Sequence, residues 1–208
     1  VLFVSHNMQA IQNLCNRTIV FSEGHQIFDG DSFEAMTYYL KTTSITRTEC
    51  SWEPENAPGN ENITLCRAWI KNRDSKENDT IFTVDDDLEV GVEFENKMEG
   101  DTVLDVTMHL RDERNVLVFV TSSMGKNPSH LKKGKYLATF LIPRHLLNQG
   151  TYTFNRLLFV KDFGRLVYEY PDVLTFDILK TSTGQLGWMG AKEGIVRPIL
   201  PWKIEKKS

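Results

Sequence analysis

Leu88-Glu89-Val90-Gly91-Val92-Glu93-Phe94-Glu95 places Leu88, Val90, Val92 and Phe94 at every second position, between Glu89, Gly91, Glu93 and Glu95. A period of two sends alternate side chains to opposite faces of a β-strand, so this stretch predicts one core face and one wet face. Leu104-Asp105-Val106-Thr107-Met108-His109-Leu110-Arg111 repeats the pattern. Two such strands predict an antiparallel sheet with one face buried and the other in water.

Working outward, short β-rich runs recur at 63–71, 81–84, 116–122, 135–142, 151–161, 165–169 and 173–180, with turn residues between them. Asp112-Glu113-Arg114-Asn115 joins two runs, Asn148-Gln149-Gly150 precedes a long one, and Lys161-Asp162-Phe163-Gly164-Arg165 closes a hairpin. Residues 48 to 180 contain no amphipathic helix pattern of ten or more residues. The expected fold of residues 63–180 is therefore all-β, an immunoglobulin-like antiparallel β-sandwich.

The N-terminal part has a different character. Val1-Leu2-Phe3-Val4 is a bare β run, Ser5-His6-Asn7 supplies helix-capping residues, and Met8, Ile11, Leu14 and Cys15 follow a helical period. A hairpin is expected from Thr18-Ile19-Val20-Phe21 and His25-Gln26-Ile27-Phe28 around Glu23-Gly24, then a helix with Phe33, Met36, Tyr39 and Leu40 on one face. Residues 1–47 thus read as a short α/β unit that looks like part of something longer. Residues 48–62, with two prolines and no apolar period, read as a linker. The tail, 181–208, is expected to dock its apolar Gly194-Ile195-Val196-Arg197-Pro198-Ile199-Leu200-Pro201-Trp202 as an edge strand, of its own sheet or of a second copy.

Composition narrows the function. With 24 Lys plus Arg against 28 Asp plus Glu, the net charge of −4 argues against a broad basic face for nucleic acid. Cys15, Cys50 and Cys66 lack CxxC spacing, which supports neither a disulfide framework nor a zinc site and points to a reducing compartment. No apolar run approaches the ~20 residues of a membrane span, and no secretory signal is visible. Sequons at Asn16, Asn62 and Asn78 would suit an extracellular adhesion domain, but the unpaired cysteines weigh against it. His6, His25, His109, His130 and His145 have no metal-ligand spacing, and Ser122-Ser123-Met124-Gly125 lacks the Gly-x-Ser-x-Gly elbow. Asp85-Asp86-Asp87 reads as a solvated turn rather than a calcium loop.

Phe3-Val4-Ser5-His6-Asn7-Met8, the helical Ile11 to Arg17 segment, Ile19-Val20-Phe21-Ser22-Glu23-Gly24 and Asp29-Gly30 resemble the end of an ABC-transporter nucleotide-binding domain, with His6 at the position of the switch histidine. An imidazole there can bond a γ-phosphate oxygen whose charge changes during hydrolysis. Joined to a linker and an all-β domain, this resembles the ATP-binding subunit of O-antigen polysaccharide exporters, the Wzt type. Looser matches in the β domain are Leu146-Leu147-Asn148-Gln149-Gly150-Thr151-Tyr152, Val167-Tyr168 and Leu174-Thr175-Phe176-Asp177-Ile178. The chain carries no Gly-x-x-x-x-Gly-Lys-Ser/Thr and no ABC signature loop, so no catalysis is expected of it and His6 is inactive here. ATP and magnesium belong to the full-length parent that the resemblance implies.

Between residues 85 and 113 eleven acidic residues face only Lys97 and Arg111. One reading is a soluble outer face; the other is a set of carboxylates accepting hydrogen bonds from sugar hydroxyls. If the two alternating strands pair, Glu93, Glu95, Thr107, His109 and Arg111 share a face, joined by one of Asn155 and Arg156. Trp69, Tyr136 and Tyr152 could stack on a pyranose ring, although a tryptophan in a sandwich is more often core. The expected carbohydrate-binding set is Glu93, Thr107, His109, Arg111, Arg156, Tyr136 and Trp69. By the resemblance, the partners would be O-antigen polysaccharide at its modified non-reducing end, a second copy in a homodimer and a membrane-spanning transporter subunit, with the chain cytoplasmic and peripheral at the inner membrane. The alternative is a β-sandwich that only dimerises and couples the ATPase.

Overall fold

The computed structural model describes residues 2–4, 11, 14–43, 46–75, 81–124, 130–180 and 194–196. His6 and most of the expected first helix lie outside them. Strands β1 (Arg17–Ser22) and β2 (His25–Asp31) form the expected antiparallel hairpin, turned at Glu23 and Gly24, both with positive φ. Asp31 Oδ1 then accepts from the Phe33 amide at 2.8 Å, capping α1 (Ser32–Thr43). Val20, Ala35 and Met36 are buried between helix and hairpin, and Phe28 stacks on Tyr38 at 5.2 Å.

The remaining strands are β3 (Glu49–Ser51), β4 (Ile63–Asn72), β5 (Ile81–Thr83), β6 (Leu88–Asn96), β7 (Thr102–Asp112), β8 (Leu117–Ser122), β9 (His130–Leu131), β10 (Gly134–Ile142), β11 (Gly150–Lys161) and β12 (Arg165–Leu179). They build two sheets, ordered β10-β6-β4-β3 and β5-β12-β11-β7-β8, with β9 added beside β7. Every pairing is antiparallel except that of β5 with β12. The chain is an all-β sandwich, as its alternation requires. Leu65, Val90 and Phe94 from one sheet meet Leu110, Phe154, Phe159 and Phe176 from the other in a single core. Burying each such side chain contributes about 1.5–3 kcal/mol.

Three expectations are corrected. First, β6 and β7 do not pair: the chain crosses between sheets after Asn96, with Gly100 at φ 85°, and the strands face each other across the core. Alternation identifies a strand's inner face but not the sheet it joins, and two strands that share a core from opposite sides point their wet faces apart. Second, the 48–62 segment is not a free linker. Glu49–Ser51 pairs with β4, and Trp52 packs on the core edge-on to Tyr170 at 5.5 Å. Third, the runs at 165–169 and 173–180 form one strand, distorted near Asp172 at φ 44°. In the tail, Val196 bridges Leu147, and the amides of Asn148 donate to Ile195 and Gly194 carbonyls at 3.1 and 2.9 Å. No helix among the described residues is long and apolar enough to cross a membrane.

Candidate functional site

The outer face of the larger sheet collects four of the expected residues. On β7, Thr107, His109 and Arg111 point away from the core, because Leu104, Val106, Met108 and Leu110 point into it. On β11, the register against β7 runs Phe154 to Leu110 and then Arg156 to His109, so Asn155 is an extra residue, a β-bulge. The bulge lets both Asn155 and Arg156 reach the face, where strict alternation allows one. With its amide oriented to suit its neighbours, Asn155 donates to the His109 carbonyl at 3.1 Å and accepts from Arg111 Nε at 3.2 Å. Arg111 Nη1 also donates to the Asn115 carbonyl at 2.6 Å, where Asn115 sits at φ 63°.

Arg156 is held from the other side. Its Nε and Nη2 donate to Glu169 Oε1 and Oε2 at 2.6 and 2.9 Å, a fork-to-fork pair with 41% and 34% of the side chains exposed. That hydrogen bonding holds the Glu169 carboxyl below the usual carboxylate range and raises the Arg156 guanidinium. His109 is pushed below its ordinary value, first by burial, then by the charges of Arg156 and Arg111, with Glu169 opposing. At neutral pH its imidazole is therefore uncharged, with one donor and one acceptor nitrogen. The cluster offers guanidinium and amide donors, carboxylate acceptors and an amphoteric ring at fixed positions.

Thr107 shares this face but is 9% exposed, and its hydroxyl donates to Asp105 at 2.8 Å. Asp105 also accepts from Ser122 Oγ at 2.7 Å, Ser123 Oγ at 3.0 Å and the Met124 amide at 3.0 Å. The group fastens the β7–β8 hairpin. Glu169 was absent from the expected set, although the sequence Tyr168-Glu169-Tyr170 signals it, since inward tyrosines force the glutamate outward.

The other three expected residues lie elsewhere. Glu93 is on the outer face of the smaller sheet, in register with Arg67 and Leu137. Trp69 is on that same face and 8% exposed, lying flat over Gly91, with the Arg67 guanidinium 4.9 Å from its ring centre. Tyr136 turns inward, stacks on Phe94 at 5.8 Å, and donates its hydroxyl to the Lys132 carbonyl at 2.8 Å. None of these three can meet His109, because the thickness of the sandwich separates them. Tyr152 is buried and donates to the Asn148 and Ile195 carbonyls.

Elsewhere, Asp86 Oδ2 accepts from the Thr83 amide and hydroxyl, and Asp87 is bound by Arg144 through its amide and guanidinium. Among the described residues no cluster of three or more His, Cys, Asp or Glu is arranged to hold a metal. Cys15, Cys50 and Cys66 are free thiols, and burial raises the last two.

The sequence matches no family model and no curated protein. Among solved structures, the crystal structure of the C-terminal domain of Wzt is similar to 63% of this chain and 82% of its own, at 14% identity and a TM-score of 0.50. At that identity the likeness is one of fold. The ApaA protein from Bordetella pertussis is similar over 59% of this chain and 96% of its own, at 13% identity and a TM-score of 0.32, too low to extend the comparison.

Proposed function

We propose that the β-sandwich is a non-catalytic glycan-recognition domain, appended to the ATPase of a polysaccharide exporter, and that it binds on the outer face of the larger sheet. The observation that carries this reading is the convergence of His109, Arg111, Asn155, Arg156 and Glu169, from three neighbouring strands, on one wet surface. A sugar hydroxyl both donates and accepts, and neutral imidazole, amide, guanidinium and carboxylate together answer both needs. The ion pair orients Arg156 and Glu169 before any ligand arrives, which lowers the ordering cost of binding. The similarity in fold to the Wzt C-terminal domain supports the setting: O-antigen polysaccharide as ligand, a membrane-spanning subunit and ATP with magnesium as the parent's business, at the cytoplasmic side of the inner membrane.

The test is calorimetric titration of the folded protein with the producing strain's polysaccharide, intact and trimmed at its non-reducing end, beside an unrelated glycan. Saturable binding of the intact polymer, weakened about tenfold or more in Arg156→Ala, is expected; that ratio is ~1.4 kcal/mol. Absence of saturable binding at millimolar sugar overturns the reading. The second reading, dimerisation and coupling without glycan contact, is favoured by one observation. Strands β8 and β10 are edge strands of the two sheets and border one groove, in which Val120 and Leu141 are 49% and 41% exposed.

A further inference from the structure

The face just described does not end at Glu169. Toward the β11–β12 turn its outward positions become apolar: Leu158, itself buried, stands in register between Thr107 and Glu169, and Val160 between Asp105 and Leu166. Leu166 is 51% exposed. At the end of this strip, Leu166 also forms one wall of a cleft of about 380 Å³ at the rim of the sandwich. Its other walls come from the loops before β4 and after β6 and from the ends of β11 and β12, and include Glu61, Asn62, Glu99, Lys161 and Arg165.

The chemistry of that lining selects a ligand class. Two carboxylates stand against two cations, so the cleft has no net charge with which to hold a metal ion or a phosphate. Part of that charge is already answered locally: Lys133 Nζ donates to Glu99 Oε1 at 2.7 Å, and Lys161 Nζ lies 3.9 Å from Asp162. What remains is a mostly polar lining of donors and acceptors with Leu166 at its edge, which suits a neutral polyol. From Arg156 to Lys161 along β11 is roughly 16 Å at ~3.3 Å per residue, a span of several sugar rings.

We propose that the domain reads a run of consecutive sugars, with one part of the chain at Arg156 and Glu169, the middle along Val160 and Leu166, and a further ring in the Glu61–Arg165 cleft. This rests on the glycan reading of the face. The test uses a ladder of oligosaccharides cut from the producing strain's polymer, titrated into isotope-labelled protein and followed by NMR. Affinity rises about tenfold or more once a fragment is long enough to reach the cleft, and only then do the Asn62 and Val167 amides shift. Arg165→Ala and Leu166→Ala, both at exposed positions, remove that gain while binding the shortest fragments as the parent protein does. Length-independent affinity that is still lost in Arg156→Ala overturns the cleft and leaves the glycan reading standing. No binding of any fragment overturns both.

Discussion

Gly91 matters through what lies on it. A Cβ built there would stand 2.2 Å from Trp69 Cζ2, so the indole rests on bare backbone and shields the outer face of the smaller sheet. Gly91→Ala therefore overpacks this site and is expected to destabilise the fold by about 1–3 kcal/mol, read as a lower urea midpoint. In a Trp69→Ala background the same substitution should be nearly neutral, since the two residues share one contact. His109 makes a different prediction. Its folded-state pKa lies below the unfolded value of about 6.5, so the unfolded chain binds the proton more readily. Stability is then full above about pH 6.5 and declines as pH falls toward the depressed native value. An imidazole NMR titration should show a midpoint below the unperturbed one, and His109→Gln should flatten that part of the stability profile. Which residues are wet was readable from spacing alone, as His109 and Arg111 show; which of them meet was not, because Glu93 belongs to the other sheet.

Strand β8 is an edge whose outer row of backbone groups has no partner strand in its sheet. Natural edges are protected by charge, by bulges or by a covering element, and β8 instead presents Leu117 and Val120 at 45% and 49% exposure. Val120→Lys should leave stability within about 0.5 kcal/mol, since the side chain is half in water, and should lower any self-association seen by sedimentation velocity. An unchanged association state would detach the edge from the dimerisation reading. Strand boundaries were largely legible, since β4, β6, β7, β8, β10 and β11 lie where the alternating runs predict. The short β3 was not, because Glu49, Cys50 and Ser51 are too few to carry a period and owe their conformation to pairing with Arg67, Ala68 and Trp69.

At the scale of the whole molecule, legibility stopped at topology. Period-two patterning requires two faces and a core but is silent on the order of strands, and the crossing between β6 and β7 decides which polar residues become neighbours. The bulge on β11 was equally invisible, since an extra residue leaves apolar spacing that reads as a lapse in alternation. Yet its arithmetic is informative. Phe154 points inward, Arg156 outward, and Asn155 fits between them without a counterpart on β7. Struck from the chain, Asn155 would leave the inward and outward order of every later β11 residue intact against β7, with Leu157 and Phe159 still in the core. On the β7 side the residue is thus surplus to the ladder, and what it supplies there is an amide between Arg111 and the His109 carbonyl, while on the other side Asp172 and Val173 of β12 stand against it.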